Sequence, residues 1–221
     1  MAYRKILEWP DSKLRLKCAE IENFKSFELK SVLTDMEDTL KVKPGLGLAA
    51  PQIGEPIRAV IVNTSQLDFK NPDGGSSCLE DSSLWVILNP VLENNGGSRV
   101  WEEGCLSVPW HSATIQRNES IILKYHSFDG ESRELKLDWP ISGIVQQECD
   151  HLDGKLILDR ISRLKSTRIQ KSILKKRKKI KDIRDSIYAD EEEIKIGKPK
   201  RRLSLSSKEI KKRKKIKKNN R

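Results

Sequence analysis

Charge divides this chain so unevenly that only part of it can close around an apolar core. Residues 1 to 164 hold 19 Lys and Arg against 25 Asp and Glu, a balance of −6; residues 165 to 221 hold 24 against 7, a balance of +17. Like charges at that density repel, and a stretch poor in apolar side chains cannot offset the entropy of ordering itself. A folded body is therefore expected over residues 1–164, long enough to bury a sizeable core. Within the basic part, Leu164, Ile169, Ile173, Ile180, Ile183 and Ile187 recur with Lys and Arg between them. That spacing predicts a helix over 165–188. Residues 189–221 are of low complexity: an acidic patch (Asp190 to Glu193), a Lys/Arg/Ser stretch, then Lys211 to Lys218. They are expected to be disordered in isolation. From residue 165 onward Tyr188 is the one aromatic, which argues against base stacking. Electrostatic attachment to a polyanion and a plain solvated extension both fit this tail.

The four cysteines, Cys18, Cys78, Cys105 and Cys149, lie far apart and form no C-x-x-C pair. A body of this size does not need disulfides, so reduced thiols in a cytoplasmic setting are expected. No apolar run approaches the roughly 18 residues of a membrane span. Arg4 and Lys5 near the start are not followed by a signal-peptide core.

Leu29, Val32, Leu33, Met36 and Leu40 fall at helical spacing, predicting an amphipathic helix that ends near Lys43-Pro44. A Gly/Ala loop follows, Gly45 to Gly54. Short β-branched or apolar runs come next: Ala59 to Val62, Trp85 to Leu88, Ser98 to Trp101, Ser120 to Tyr125 and Leu135 to Leu137. Turn residues at 71–75, 94–97 and 129–130 separate them. Short strands between helices predict an α+β fold with largely antiparallel sheets. A second helix should start near Pro140, with the apolar stripe Ile141, Ile144, Val145 and Leu152.

Three segments bear on chemistry. Position 148 lies on that apolar stripe and is Glu, within Gln146-Gln147-Glu148-Cys149-Asp150-His151. Burying an unpaired carboxylate is costly, so a stripe that carries one has a purpose for it or is solvated there. The segment has the shape of H-E-x-x-H, in which two His bind a metal and Glu handles protons, with Gln147 at the first His. The second segment is Glu103-Gly104-Cys105-Leu106-Ser107, whose cysteine is either a small core residue or a ligand. The third is Gly45-Leu46-Gly47-Leu48-Ala49-Ala50-Pro51-Gln52. It lacks the Lys-Ser/Thr of a phosphate-binding loop, which argues against nucleotide binding.

Taken in order, the three segments resemble the signature motifs of the peptide deformylase family, G-x-G-L-A-A-x-Q, E-G-C-L-S and Q-H-E-x-D-H. Trp9-Pro10-Asp11 with Leu14-Arg15 resembles the family's opening, and Pro51-Gln52-Ile53-Gly54, Asn89-Pro90 and His151-Leu152-Asp153-Gly154 sit at family spacing. The resemblance covers roughly residues 5 to 170. It implies a fold with mainly antiparallel sheets around a central helix carrying the Q-E-x-x-H segment. It also implies metal-dependent hydrolysis of the N-formyl group from the formyl-methionine of nascent proteins.

By the same resemblance, Cys105 and His151 would hold one divalent metal, Fe2+ with Zn2+, Ni2+ or Co2+ as substitutes, with a third ligand at position 147. Glu148 would be the proton carrier, and the Gln52 amide and the Leu106 backbone N–H would stabilise the oxyanion. Gly47 would let the substrate backbone lie close, and Glu103 is assigned to the substrate side as a support. Gln147 departs from the family pattern, since a neutral amide oxygen is a poorer donor than imidazole. His111 and His126 stand at no family ligand position. Two readings stay open: a working hydrolase, or a deformylase-like protein of weak or no activity that binds nascent peptide or ribosome. Ribosomal RNA is the polyanion that such a protein's basic tail would meet.

Overall fold

In the computed structural model, residues 3–43, 45–75 and 78–195 are described, with side chains through Asp185. Helix α1 (Phe27–Val42) starts where Ser26 accepts a hydrogen bond from the Leu29 N–H at 3.1 Å, a side-chain cap for one of the unpaired first-turn donors. It buries Leu29, Leu33, Met36 and Leu40, the stripe read from the sequence. Strands β1 (Gly47–Ala49), β2 (Ala59–Asn63), β3 (Leu84–Asn94), β6 (Ile121–His126) and β7 (Ser132–Leu137) form one antiparallel sheet in the order β1-β2-β3-β6-β7. Strands β4 (Arg99–Cys105) and β5 (Val108–Arg117) form a separate antiparallel pair.

The central strands read as unbroken apolar runs because both of their faces are covered. Val60, Val62, Trp85 and Ile87 pack with Ile144, Val145 and Leu152 of α2 (Ile141–Leu152). Ile61, Val86 and Leu88 pack with Leu33 and Met36 of α1. The sheet is thus sandwiched between the two helices, and α2 is buried along its whole length except at Gln147. This is the α+β arrangement around a central helix that the sequence predicts.

Two elements differ from the sequence reading. The Gly45–Gly54 loop contains β1 and a 3-10 turn, Ala50–Ile53. Strand β5 lies where no strand was expected. The described part divides into a unit ending at Gln170 and a second starting at Lys171. Helix α3 spans Arg163–Lys195, beyond the 188 expected; most of the low-complexity tail, from 196 on, lies outside the described residues. None of the four cysteines is joined in a disulfide. Among the described residues no helix is long and apolar enough to cross a membrane.

Candidate active site

Three elements converge on one cleft of about 470 Å³. Helix α2 supplies Gln147 and Glu148 and carries the buried His151, which does not line the cleft; the end of β4 supplies Cys105; β1 and the turn after it supply Gly47 and Gln52. The Cys105 Sγ and His151 Nε2 stand 3.3 Å apart. Glu148 is only 4% exposed although it lines the cleft. An ideal Cβ at Gly47 would stand 2.8 Å from Glu148 Cγ and 2.9 Å from Oε1. The glycine therefore makes room first for the Glu148 carboxyl, a neighbour that the sequence reading did not give it.

Gln52 is turned by its own backbone neighbourhood. Its Oε1 accepts from the Ala49 N–H at 2.8 Å, which aims Nε2 toward the Ser107 hydroxyl at 3.3 Å and the Cys105 sulfur at 3.9 Å. Leu106 follows the cysteine in the β4–β5 turn and lines the cleft. Gln147 donates from Nε2 to the Gly104 carbonyl at 2.9 Å. A carbonyl can only accept, so the amide nitrogen must face it and the amide oxygen is the end left over.

Burial dominates the electrostatics. It pushes the Cys105 thiol up to about 12, with the Glu148 charge adding to the effect, while the Ser107 and Val108 backbone N–H groups act the other way. It pushes Glu148 up to about 8, with Glu103 adding, and His151 down to about 4. His151 Nδ1 and Glu148 Oε2 are buried without a hydrogen-bond partner. A cysteine sulfur and an imidazole Nε2 3.3 Å apart, with the unpartnered Glu148 Oε2 buried on the same helix as the imidazole, fit a cation. Tetrahedral ligation at about 2.3 Å to sulfur and about 2.05 Å to nitrogen puts those two atoms about 3.6 Å apart, close to what is found. A coordinating thiol is deprotonated outright, which would reverse the upward shift of Cys105. Gln147 leaves the donor set short: among the described residues, no three His, Cys, Asp or Glu are placed to hold a metal together. His111 lines the cleft without completing such a group, and His126 stacks on Phe24 at 4.8 Å.

Glu103, assigned by resemblance to the substrate side, has its oxygens engaged elsewhere. It receives Arg117 Nε and Nη2 at 2.7 and 2.9 Å and Trp101 Nε1 at 2.8 Å. Arg117 also donates to Asp150 at 2.6 Å, and Asp150 in turn pairs with Arg160. This buried chain ties β4, β5 and α2 together beneath the reactive groups. Sequence reading missed Arg117. The signal available was its place in line with Ala113 and Ile115, all three on the inward face of β5.

A buried glutamate and a histidine three residues apart on one helix, with a cysteine sulfur 3.3 Å from the histidine, are groups that a hydrolase site can use. Comparisons sharpen that class. The polypeptide deformylase family model matches residues 3–167. The peptide deformylase of Stenotrophomonas maltophilia is 35% identical over 182 residues, 81% of this chain and 99% of that protein. The one from Zymomonas mobilis is 36% identical over 80% and 97%. Among solved structures, a peptide deformylase from Legionella pneumophila has a TM-score of 0.69 at 32% identity, covering 82% of this chain and 98% of that one. One from Ehrlichia chaffeensis in complex with actinonin has a TM-score of 0.68 at 28% identity, covering 80% and 98%. The chain belongs to the polypeptide deformylase family.

Proposed function

We propose that this cleft hydrolyses the formyl group from N-formyl-methionyl peptides. The observation that carries the reading is that Gln52, Cys105 and Glu148 line one cleft of a deformylase fold, with His151 Nε2 3.3 Å from the Cys105 sulfur. Cys105 and His151 would hold a divalent cation, Fe2+ in the first instance with Zn2+, Ni2+ or Co2+ as substitutes, and the Gln147 amide oxygen would be a third, weak donor. Bound there, such a cation supplies Lewis acidity toward water and the formyl carbonyl. Glu148 takes the proton of the attacking water at its carboxylate and returns it to the departing amine. The Gln52 Nε2–H and the Leu106 N–H are the donors that would meet the developing oxyanion. The peptide enters extended along β1, an edge strand of the sheet, whose unpaired backbone groups can take another strand. Nothing in the fold or the relatives favours a binding-only protein.

The body over residues 1–164 is read as the catalytic part, working in the cytoplasm. The basic helix and the tail beyond 188 are read as an attachment to ribosomal RNA, on the strength of their +17 balance. The direct test of the activity is formate release from a formyl-Met tripeptide by protein prepared anaerobically with Fe2+. Replacing the proton carrier, Glu148→Gln, should lower kcat by about a hundredfold or more. Equal rates for the two proteins would refute the assignment.

A further inference from the structure

Helix α2 borders two separate spaces. Gln147 and Glu148 line the active cleft, whereas Gln146, Cys149 and Asp150, with Asp153 at the helix cap, line a second cavity of about 420 Å³. The spacing i, i+3, i+4, i+7 sets those four on one side of the helix, turned away from Glu148. The rest of the wall comes from β3, the end of β5 and Arg58. A space of this size takes a small molecule.

Four cationic side chains line it, Arg58, Arg117, Lys155 and Arg160, in a body whose overall balance is −6. The carboxylates on the wall are already paired. Asp153 accepts from Arg58 Nη1 at 2.9 Å, and Glu93 accepts from Lys124 Nζ at 2.6 Å. Asp150 accepts from Arg117 Nη1 at 2.6 Å and from both Nε and Nη2 of Arg160, while the rest of the Arg117 fork holds Glu103. Matching cations against anions leaves Lys155, which is exposed and makes no ion pair among the described residues. Arg58 has its Nη2 on the Pro90 carbonyl and keeps Nε unused; Arg160 keeps Nη1. The Asn118 side-chain amide lines the cavity and is also unused, its backbone N–H and C=O being the groups that hold Gln146.

We propose that this cavity binds a small phosphorylated polyol, held by its phosphate. A phosphate monoester carries close to two negative charges and three acceptor oxygens. Lys155 Nζ, Arg58 Nε and Arg160 Nη1 are the three charged donors that meet them. The Asn118 amide both donates and accepts, which suits a hydroxyl group. No aromatic side chain lines the cavity among the described residues, so a nucleobase has nothing to stack on and a polyol is favoured over a nucleotide. The site lies outside the active cleft and stands whether or not that cleft hydrolyses formyl peptides.

Calorimetric titration of the full chain with glycerol 3-phosphate, inorganic phosphate and glycerol tests the proposal. Glycerol 3-phosphate should bind one to one, inorganic phosphate about threefold more weakly or worse, and glycerol not at all. Lys155→Ala and Arg58→Gln should each weaken glycerol 3-phosphate by about tenfold, the loss expected for a charge-assisted hydrogen bond. Lys155 supports no ion pair, so its removal should leave the thermal melt unchanged and keep the comparison free of misfolding. Asn118→Ala should bring glycerol 3-phosphate down to the affinity of phosphate and leave phosphate itself unaltered. The basic C-terminal quarter also attracts phosphate, but alike in every variant, so the difference between proteins is the quantity read. No one-to-one event in the wild type, or an affinity that survives both Lys155→Ala and Arg58→Gln, overturns the site. Equal affinity for glycerol 3-phosphate and inorganic phosphate overturns its assignment to a polyol.

Discussion

Glu148 is set by what surrounds it. Buried, with one oxygen unpartnered, it rests where Gly47 has no side chain. A methyl at Gly47 would occupy the position now held by the carboxyl, and small displacements of a proton carrier are expensive in rate. Gly47→Ala should therefore lower kcat by about tenfold or more while the fold survives, a result readable from steady-state kinetics beside a circular dichroism melt. The buried ion chain makes a different kind of claim. Arg117 and Glu103 have side chains 3% and 0% exposed, so Arg117→Met strands a charge in the interior at a cost of about 3–5 kcal/mol in urea unfolding. Asp150 adds a pH signature. Burial raises it, but its pairing with Arg160 and Arg117 prevails and holds it below the ordinary 3.8. A depressed folded-state value means stabilisation that is complete well above 3.8 and lost as pH falls from there through the folded value. In Asp150→Asn, stability should fall less steeply with acid over that window, as followed by unfolding at stepped pH.

At the scale of elements, the cleft is where two pieces of secondary structure with different legibility meet. Helix α2 was open to reading because its stripe keeps the 3.6 period while Glu148 and His151 interrupt it with polar groups. Strands β2 and β3 were open to reading because both faces are apolar, which leaves uninterrupted runs. Strand β5 was hidden for two physical reasons. Its inward face ends in Arg117, so the apolar alternation Ala113, Ile115 breaks at the residue that matters most. Its start is a bulge, which removes the period altogether between Val108 and Ser112. Strand β1 is three residues long and opens on Gly47, too short for any alternation to register. The three motifs drew attention in advance to Gly47, Gln52, Cys105 and Glu148, which line the cleft. The partner of Glu103, and the reason for Gly47, needed the packing.

On the scale of the whole molecule, charge separates tasks. An acidic body is repelled by RNA, so any affinity for a ribosome has to come from the basic C-terminal quarter. Removing residues 189–221 should weaken co-sedimentation with ribosomes at low salt and leave hydrolysis of a short formyl peptide unchanged. For the full chain, log K should fall by about 0.9 per neutralised phosphate for each log unit of salt. Ribosome binding that is equal with and without those residues would reduce the tail to a passive extension.

In the cleft read as a deformylase site, Gln147 would be the residue that limits the hold on a metal. With the Gln147 nitrogen engaged by Gly104, a cation held as proposed would have Cys105, His151 and at best a weak amide oxygen. The decisive measurement is metal per chain, taken with kcat/KM on a formyl-Met peptide, for the wild type and Gln147→His prepared anaerobically. Tighter and fuller metal binding is expected in the variant, with a rate gain of about tenfold or more, about 1.4 kcal/mol of transition-state stabilisation. A wild type that already carries one metal per chain and matches the variant's rate would contradict that expectation.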